Sequence, residues 1–233
     1  VLGGFISGIV GSRSTHSREV AKHAGLGAKV DSREKRLSRW YQNENVCHEL
    51  DYLPYIQEVL ATLAGLALPI AIDGSEIGRG CMVLMVSLIY NNRAIPLMWT
   101  VFQRPKGHAS AEEHIQLLEC VRPLVPPEAE IIFLGDGGYA SHELARFCHR
   151  HQRHATLVSR YHGDANLYAP PPQRSRLGRP RLKGRKLPQP QAMVKRRKRQ
   201  RATVSWYGGG TRRVEFVSNT GLWYKAGNGL VPV

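Results

Sequence analysis

The sequence has no C-x-x-C pair, and its four cysteines, Cys47, Cys81, Cys120 and Cys148, stand far apart. That excludes a paired-cysteine metal motif and a secreted-type disulfide framework, and it predicts reduced thiols in the cytoplasm. No apolar run approaches the roughly 20 residues that span a bilayer, and the N-terminus lacks the basic-then-apolar order of a signal peptide. The expectation is a soluble protein with no membrane partner. No G-x-x-x-x-G-K-[ST] stretch occurs, so a P-loop is excluded, and Ser75 and Ser141 lack any nucleophile signature. Internal repeats are absent too. Acidic residues are missing from one long segment: positions 174–201 hold 13 Lys or Arg and no Asp or Glu. Because the chain has 33 basic and 18 acidic residues, that segment carries almost all of the net charge of +15, and the rest is close to balanced. A surplus gathered in one segment points to a polyanionic partner, nucleic acid first among them.

What is present is enough apolar material, 42% of 233 residues, for one large core with an appendage. The chain opens at Val1 without a methionine and stops in Leu230-Val231-Pro232-Val233, an apolar run with no solvating tail, which reads as a fragment. Residues 1–66 read as helices and turns. In DSREKRLSRWYQNE the spacing puts Leu37, Trp40 and Tyr41 on one helix face and Arg33, Arg36 and Arg39 on another, with Asp31 and Glu34 at capping-box spacing. A further helix is expected from about Asp51 to Leu66, with Pro54 in its first turn.

From 67 to 160 the texture becomes that of an α/β core. LPIAID, CMVLMVSLIY and AIPLMWTVF read as three successive strands, the last two joined at Asn91-Asn92-Arg93. Ser110 and Glu113 form a capping box for a helix ended by Pro123, IIFLGD is a fourth strand, Ser141 to Gln152 a helix, and Ala155 to Ser159 a fifth strand. The sheet is therefore expected to be mixed. Residues 161–233 turn irregular and basic: Pro170-Pro171-Pro172, RLGRPRLKGRK, KRRKRQR, then a hairpin around VSWYGGGTRRVEFVS.

Two residues carry candidate chemistry. Asp73 follows Leu68-Pro69-Ile70-Ala71-Ile72 and precedes Gly74-Ser75; Asp136 follows Ile131-Ile132-Phe133-Leu134-Gly135 and precedes Gly137-Gly138. Each closes an apolar strand beside a permissive turn, and on neighbouring strands the two carboxylates converge as hard oxygen ligands for magnesium. The plainer alternative is that each aspartate caps its turn. Glu76, three residues beyond Asp73, reads either as an acid supporting the metal ligands from behind or, in preference, as an exposed turn residue. Cys148, His149, His151 and His154 superficially suggest zinc, but helical spacing does not put three of them on one face. Arg179 and Arg181, with Lys183 and Arg185 in GRPRLKGRK, have the pattern of an extended arm that enters a minor groove, or of a basic loop with general phosphate affinity. Arg33, Arg36 and Arg39 fit either a phosphate-contacting or an ordinary solvated helix face.

IAIDGSEI and IIFLGDGGYASHELARF resemble the first and second aspartate motifs of DDE transposases of the insertion-sequence-four type, whose core is ribonuclease-H-like. SREKRLSRW resembles their N-terminal DNA-binding region, and LYAPPP with GRPRLKGRK resembles the basic part of the β-rich insertion in their catalytic core. The resemblance implies an endonuclease and strand transferase for cut-and-paste transposition in a prokaryotic, nucleoid-associated setting. It implies two Mg²⁺ or Mn²⁺ ions on shared ligands Asp73 and Asp136, double-stranded DNA (transposon ends and target) as partner, and it leaves open a homodimer on DNA. The family's third carboxylate, a Glu within a Tyr, two residues, Arg, three residues, Glu pattern, has no counterpart here. After Asp136 the acids are Glu143, Asp164 and Glu215, none well suited. The expectation is a transposase chain that cuts poorly or not at all alone. A non-catalytic DNA-binding remnant and a host nuclease on the same fold are the alternatives.

Overall fold

The computed structural model describes residues 2–104, 109–150, 155–172, 181–206, 209–226 and 229–233. The chain divides into two compact units, Val1–Val59 and Leu60–Val233. In the first, α1 (Leu2–Ser12), α2 (Ser17–His23), α3 (Val30–Tyr41) and α4 (His48–Asp51) follow one another. Phe5, Val20, Ala21 and Leu37 form its core, joined by Leu26, Val30 and Trp40. Gly8 lets α1 approach α2 closely, since a Cβ there would stand 2.5 Å from the Val20 carbonyl oxygen. The capping box expected at Asp31 and Glu34 is not made. Lys29 occupies the N-cap, while Glu34 accepts from the Ser17 hydroxyl and lies 3.9 Å from Arg18. α5 (Leu53–Ala61) carries Pro54 in its first turn and ends before Leu66.

The second unit begins with three long strands, β1 (Ala67–Gly78), β2 (Cys81–Tyr90) and β3 (Arg93–Phe102). Asn91 and Asn92 both take positive φ, the conformation that a tight hairpin requires between β2 and β3. Next come α6 (Ala111–Val121), β4 (Glu130–Leu134), α7 (His142–Arg150) and β5 (Ala155–Val158). The Ser110–Glu113 capping box is made in both halves: the Ser110 hydroxyl accepts from the Glu113 amide, and the Glu113 carboxylate from the Ser110 amide. These strands form one mixed sheet in the order β3-β2-β1-β4-β5, antiparallel through the first three and parallel from β1 to β5. The edge position of β3 accommodates Pro96, which has no amide to donate. Leu68, Ile70 and Ile72 of β1 and Ile131 and Phe133 of β4 are buried, and Leu118 of α6 and Phe147 of α7 line one cavity with Ile131 and Phe133, so both helices flank this sheet face.

Residues 161–233 belong to the same compact unit as the sheet. They hold β6 (Leu167–Tyr168), α8 (Pro190–Arg196), β7 (Gln200–Ser205), β8 (Thr211–Phe216), β9 (Leu222–Lys225) and β10 (Gly229–Pro232). The strands form a β10-β9-β6 sheet and a separate β7-β8 ribbon, the hairpin the sequence predicts. The β9-β10 hairpin docks on α7. Trp223 meets the His142 ring edge to face at 5.3 Å, Lys225 donates to Glu143 at 2.8 Å, and Val231 is buried.

Among the described residues of this unit two histidines are buried, His114 at 6% and His142 at 1% exposure. Burial holds both imidazoles below their ordinary value of 6.5. A depressed folded-state pKa means that stability present above the unfolded value is lost as pH falls through the folded one. The melting temperature is therefore expected to drop as pH is lowered from 7 to 5. His142→Gln should make that decline shallower.

Candidate metal centre at the paired aspartates

Asp73 does not end its strand. β1 runs on to Gly78 as the arm of a hairpin with β2, so Asp73 pairs with Met85 and the Gly74-Ser75 turn is not formed. The chain instead reverses at Gly78, Arg79 and Gly80, all at positive φ. What ends near Asp73 is the parallel neighbour: β4 is in register with β1 from Ala67↔Glu130 to Ala71↔Leu134. Continuing that register by two residues sets Asp136 opposite Asp73. Strand alternation places both on the face opposite Ile70, Ile72 and Phe133, and both are exposed.

The two aspartates line one open groove of about 560 Å³ with Ala71, Leu134, Val158, Ser159 and Arg160. Asp73 Oδ1 accepts from the Gly74 amide at 2.9 Å, and Asp136 Oδ1 from the Gly138 amide at 2.7 Å. The turn-capping alternative is thus realised at Asp136, which caps a 3-10 turn over Gly137–Tyr139. Capping and ligation are compatible, since each of these bonds engages only one carboxylate oxygen. The end of β5 is tied to the same place: the Gly135 amide donates to the Val158 carbonyl, and the Ser159 hydroxyl to the Asp136 carbonyl at 2.5 Å. Arg160 follows directly, its guanidinium 3.5 Å from where a Gly137 Cβ would stand. Sequence reading missed Arg160, whose only signal was its place just after a strand that proves parallel to β4. Beneath the pair lies Tyr139, 7% exposed. Burial first, then the charges of Asp73 and Asp136, push its phenol up to about 12.

Oxygen donors alone suit a hard divalent cation, and two carboxylates fit such an ion as part of a ligand set. Among the described residues no third Asp, Glu, His or Cys joins them as a metal-holding group. Glu76, three residues beyond Asp73, projects to the opposite face of β1. It lies within the strand, not in a turn. Glu143 is bonded to Lys225, and Glu215 lies in β8, where Arg199 and Arg201 hold it below the usual carboxylate range. Cys148 is 3% exposed with its thiol pushed up to about 12 by burial, and His151 and His154 lie outside the described residues.

The candidate DNA contacts divide by environment. Arg36 and Arg39 are exposed on α3, whereas Arg33 is half-buried and donates to the Ala21 and Lys22 carbonyls at the end of α2. It therefore serves the helix terminus. Arg181 and Arg185 are exposed, while the Lys183 ammonium sits over the rings of Tyr168 and Tyr224 at 4.3 and 3.8 Å. Arg179 lies outside the described residues. No family model and no curated protein matches this chain.

Proposed function

We propose that this chain is a DNA-binding polypeptide of a DDE transposase of the insertion-sequence-four type, with a ribonuclease-H-like core in which Asp73 and Asp136 bind Mg²⁺ or Mn²⁺. The observation that carries this reading is that Asp73 and Asp136 line one groove with Arg160, two residues past the end of the parallel β1–β4 register. A mixed sheet flanked by helices is the architecture the reading calls for. A divalent cation there would supply Lewis-acid charge to phosphodiester oxygens. Asp73 and Asp136 would hold it, Arg160 offers a cation for a neighbouring phosphate, and the exposed basic residues of 181–201 supply backbone affinity for duplex DNA.

Isothermal titration with Mn²⁺ tests the metal part. Wild type is expected to bind Mn²⁺, and Asp73→Ala and Asp136→Ala each to abolish binding while leaving duplex DNA affinity unchanged. Retained Mn²⁺ binding in Asp73→Ala would overturn the assignment. With Glu143 and Glu215 engaged elsewhere, cleavage by the chain alone is expected to be weak or absent. The same engagement favours a second reading, a non-catalytic protein that occupies transposon ends. A preference for terminal inverted repeats over random duplex across a salt series, with no Mn²⁺ binding, would select it.

A further inference from the structure

Gly135 precedes Asp136 and Gly74 follows Asp73, so alternation turns both glycines toward the helix-covered face when the aspartates face the groove. Both positions are empty of side chain, and Tyr139 reaches the space at each, joined at Gly74 by the Met82 methyl. A Cβ on Gly135 would stand 2.6 Å from the Tyr139 Cβ and 3.0 Å from its Cγ; a Cβ on Gly74 would stand 3.5 Å from the Tyr139 hydroxyl. The phenol oxygen thus lies beside the Gly74 backbone, whose amide donates to Asp73 Oδ1. The ring therefore lies under the end of β4 and reaches across to β1. It is braced from behind by His114 of α6, whose ring centroid is 4.7 Å away.

We propose that Tyr139 is the positioning residue of this centre: its side chain bridges Gly135 and Gly74 and so fixes the separation of Asp73 and Asp136. The inference rests on the metal-centre reading above, but it makes a mechanical claim of its own. At Asp73, β1 has passed the last paired residues of β4, so the ladder bonds that hold the strands together further back no longer set the distance. Asp136 belongs to a loop and 3-10 turn. A rigid ring anchored on that turn and reaching Gly74 with its hydroxyl supplies the missing cross-link. It does so without occupying the groove, because it approaches from the opposite face.

The test compares wild type, Tyr139→Phe, Tyr139→Leu and Asp73→Ala in Mn²⁺ titrations and in amide hydrogen exchange, with melting temperature as a control for global damage. Tyr139→Leu is expected to weaken Mn²⁺ binding about tenfold, the scale of a lost outer partner of a metal ligand. It should also speed exchange at the Gly74 and Gly138 amides. Tyr139→Phe keeps the ring but removes the hydroxyl that packs beside Gly74, and so should restore most of the affinity while still speeding exchange at Gly74. Equal Mn²⁺ affinity in wild type and Tyr139→Leu, both sensitive to Asp73→Ala, would overturn the proposal. If wild type binds no Mn²⁺, the metal-centre reading fails, and exchange decides the positioning role separately. Unchanged exchange at Gly74 and Gly138 in Tyr139→Leu then refutes it, and faster exchange upholds it. Should Tyr139→Leu fail to fold, Tyr139→Phe carries the decision through Gly74 exchange alone.

Discussion

Changing Arg181, Arg185, Lys195, Arg196 and Lys198 together to alanine is expected to weaken duplex DNA binding about a thousandfold near 0.1 M salt. It should also flatten the slope of log affinity against log salt by about 4.5, since each phosphate contact contributes about 0.9 through counterion release. These five are exposed. Their neighbours are committed within the protein: Arg197 donates to Asn219, Arg199 and Arg201 to Glu215, and Lys183 is held by two tyrosines. Replacing Arg197, Arg199 and Arg201 should therefore change the salt slope less per charge removed. Filter binding or fluorescence anisotropy from 50 to 200 mM salt reads both quantities. Equal slopes for wild type and the five-fold variant would remove the basic segment from the DNA interface.

Gly135→Ala should damage fold and site together, at about 3 kcal/mol of stability, the upper range for overpacking. The added methyl would meet the Tyr139 Cβ at 2.6 Å, and neither atom has a flexible chain end with which to yield, since the Tyr139 Cβ is fixed to the 3-10 turn. Gly74→Ala is the informative contrast. Its methyl would meet the Tyr139 hydroxyl at 3.5 Å, ordinary contact, so its cost should stay within about 1 kcal/mol. Urea denaturation measures both. Similar costs for the two variants would show that the close approach at Gly135 does not constrain the centre.

Much of the sheet was legible because β-branched runs and Asn-Asn punctuation are local signals. The two capping-box patterns mark where local reading stops. Ser110 and Glu113 form the box although Glu113 also accepts from Arg104, whereas Glu34 at the same spacing is drawn to Ser17 and Arg18 of a neighbouring helix and Lys29 takes the N-cap. At Asp73 the Gly-Ser pair read as a turn, and pairing with β2 overrode it. Arg33 followed the basic stripe of its helix, yet the carbonyls at the end of α2, beyond any periodicity argument, claimed it. Asp73 and Asp136 were visible as separate motifs. Their shared register, Arg160 beside them and Tyr139 beneath them depend on contacts between strands distant in the chain.

The seat of β9-β10 on α7 has a consequence for synthesis. Glu143 and Lys225 are 82 positions apart, so α7 emerges from the ribosome long before β9, whose Trp223 covers His142, and β10, whose Val231 is buried. At 5–20 residues per second that interval lasts roughly 4 to 16 seconds. Throughout it one flank of a core helix stays uncovered in the nascent chain, a natural stretch for a chaperone to hold until translation catches up.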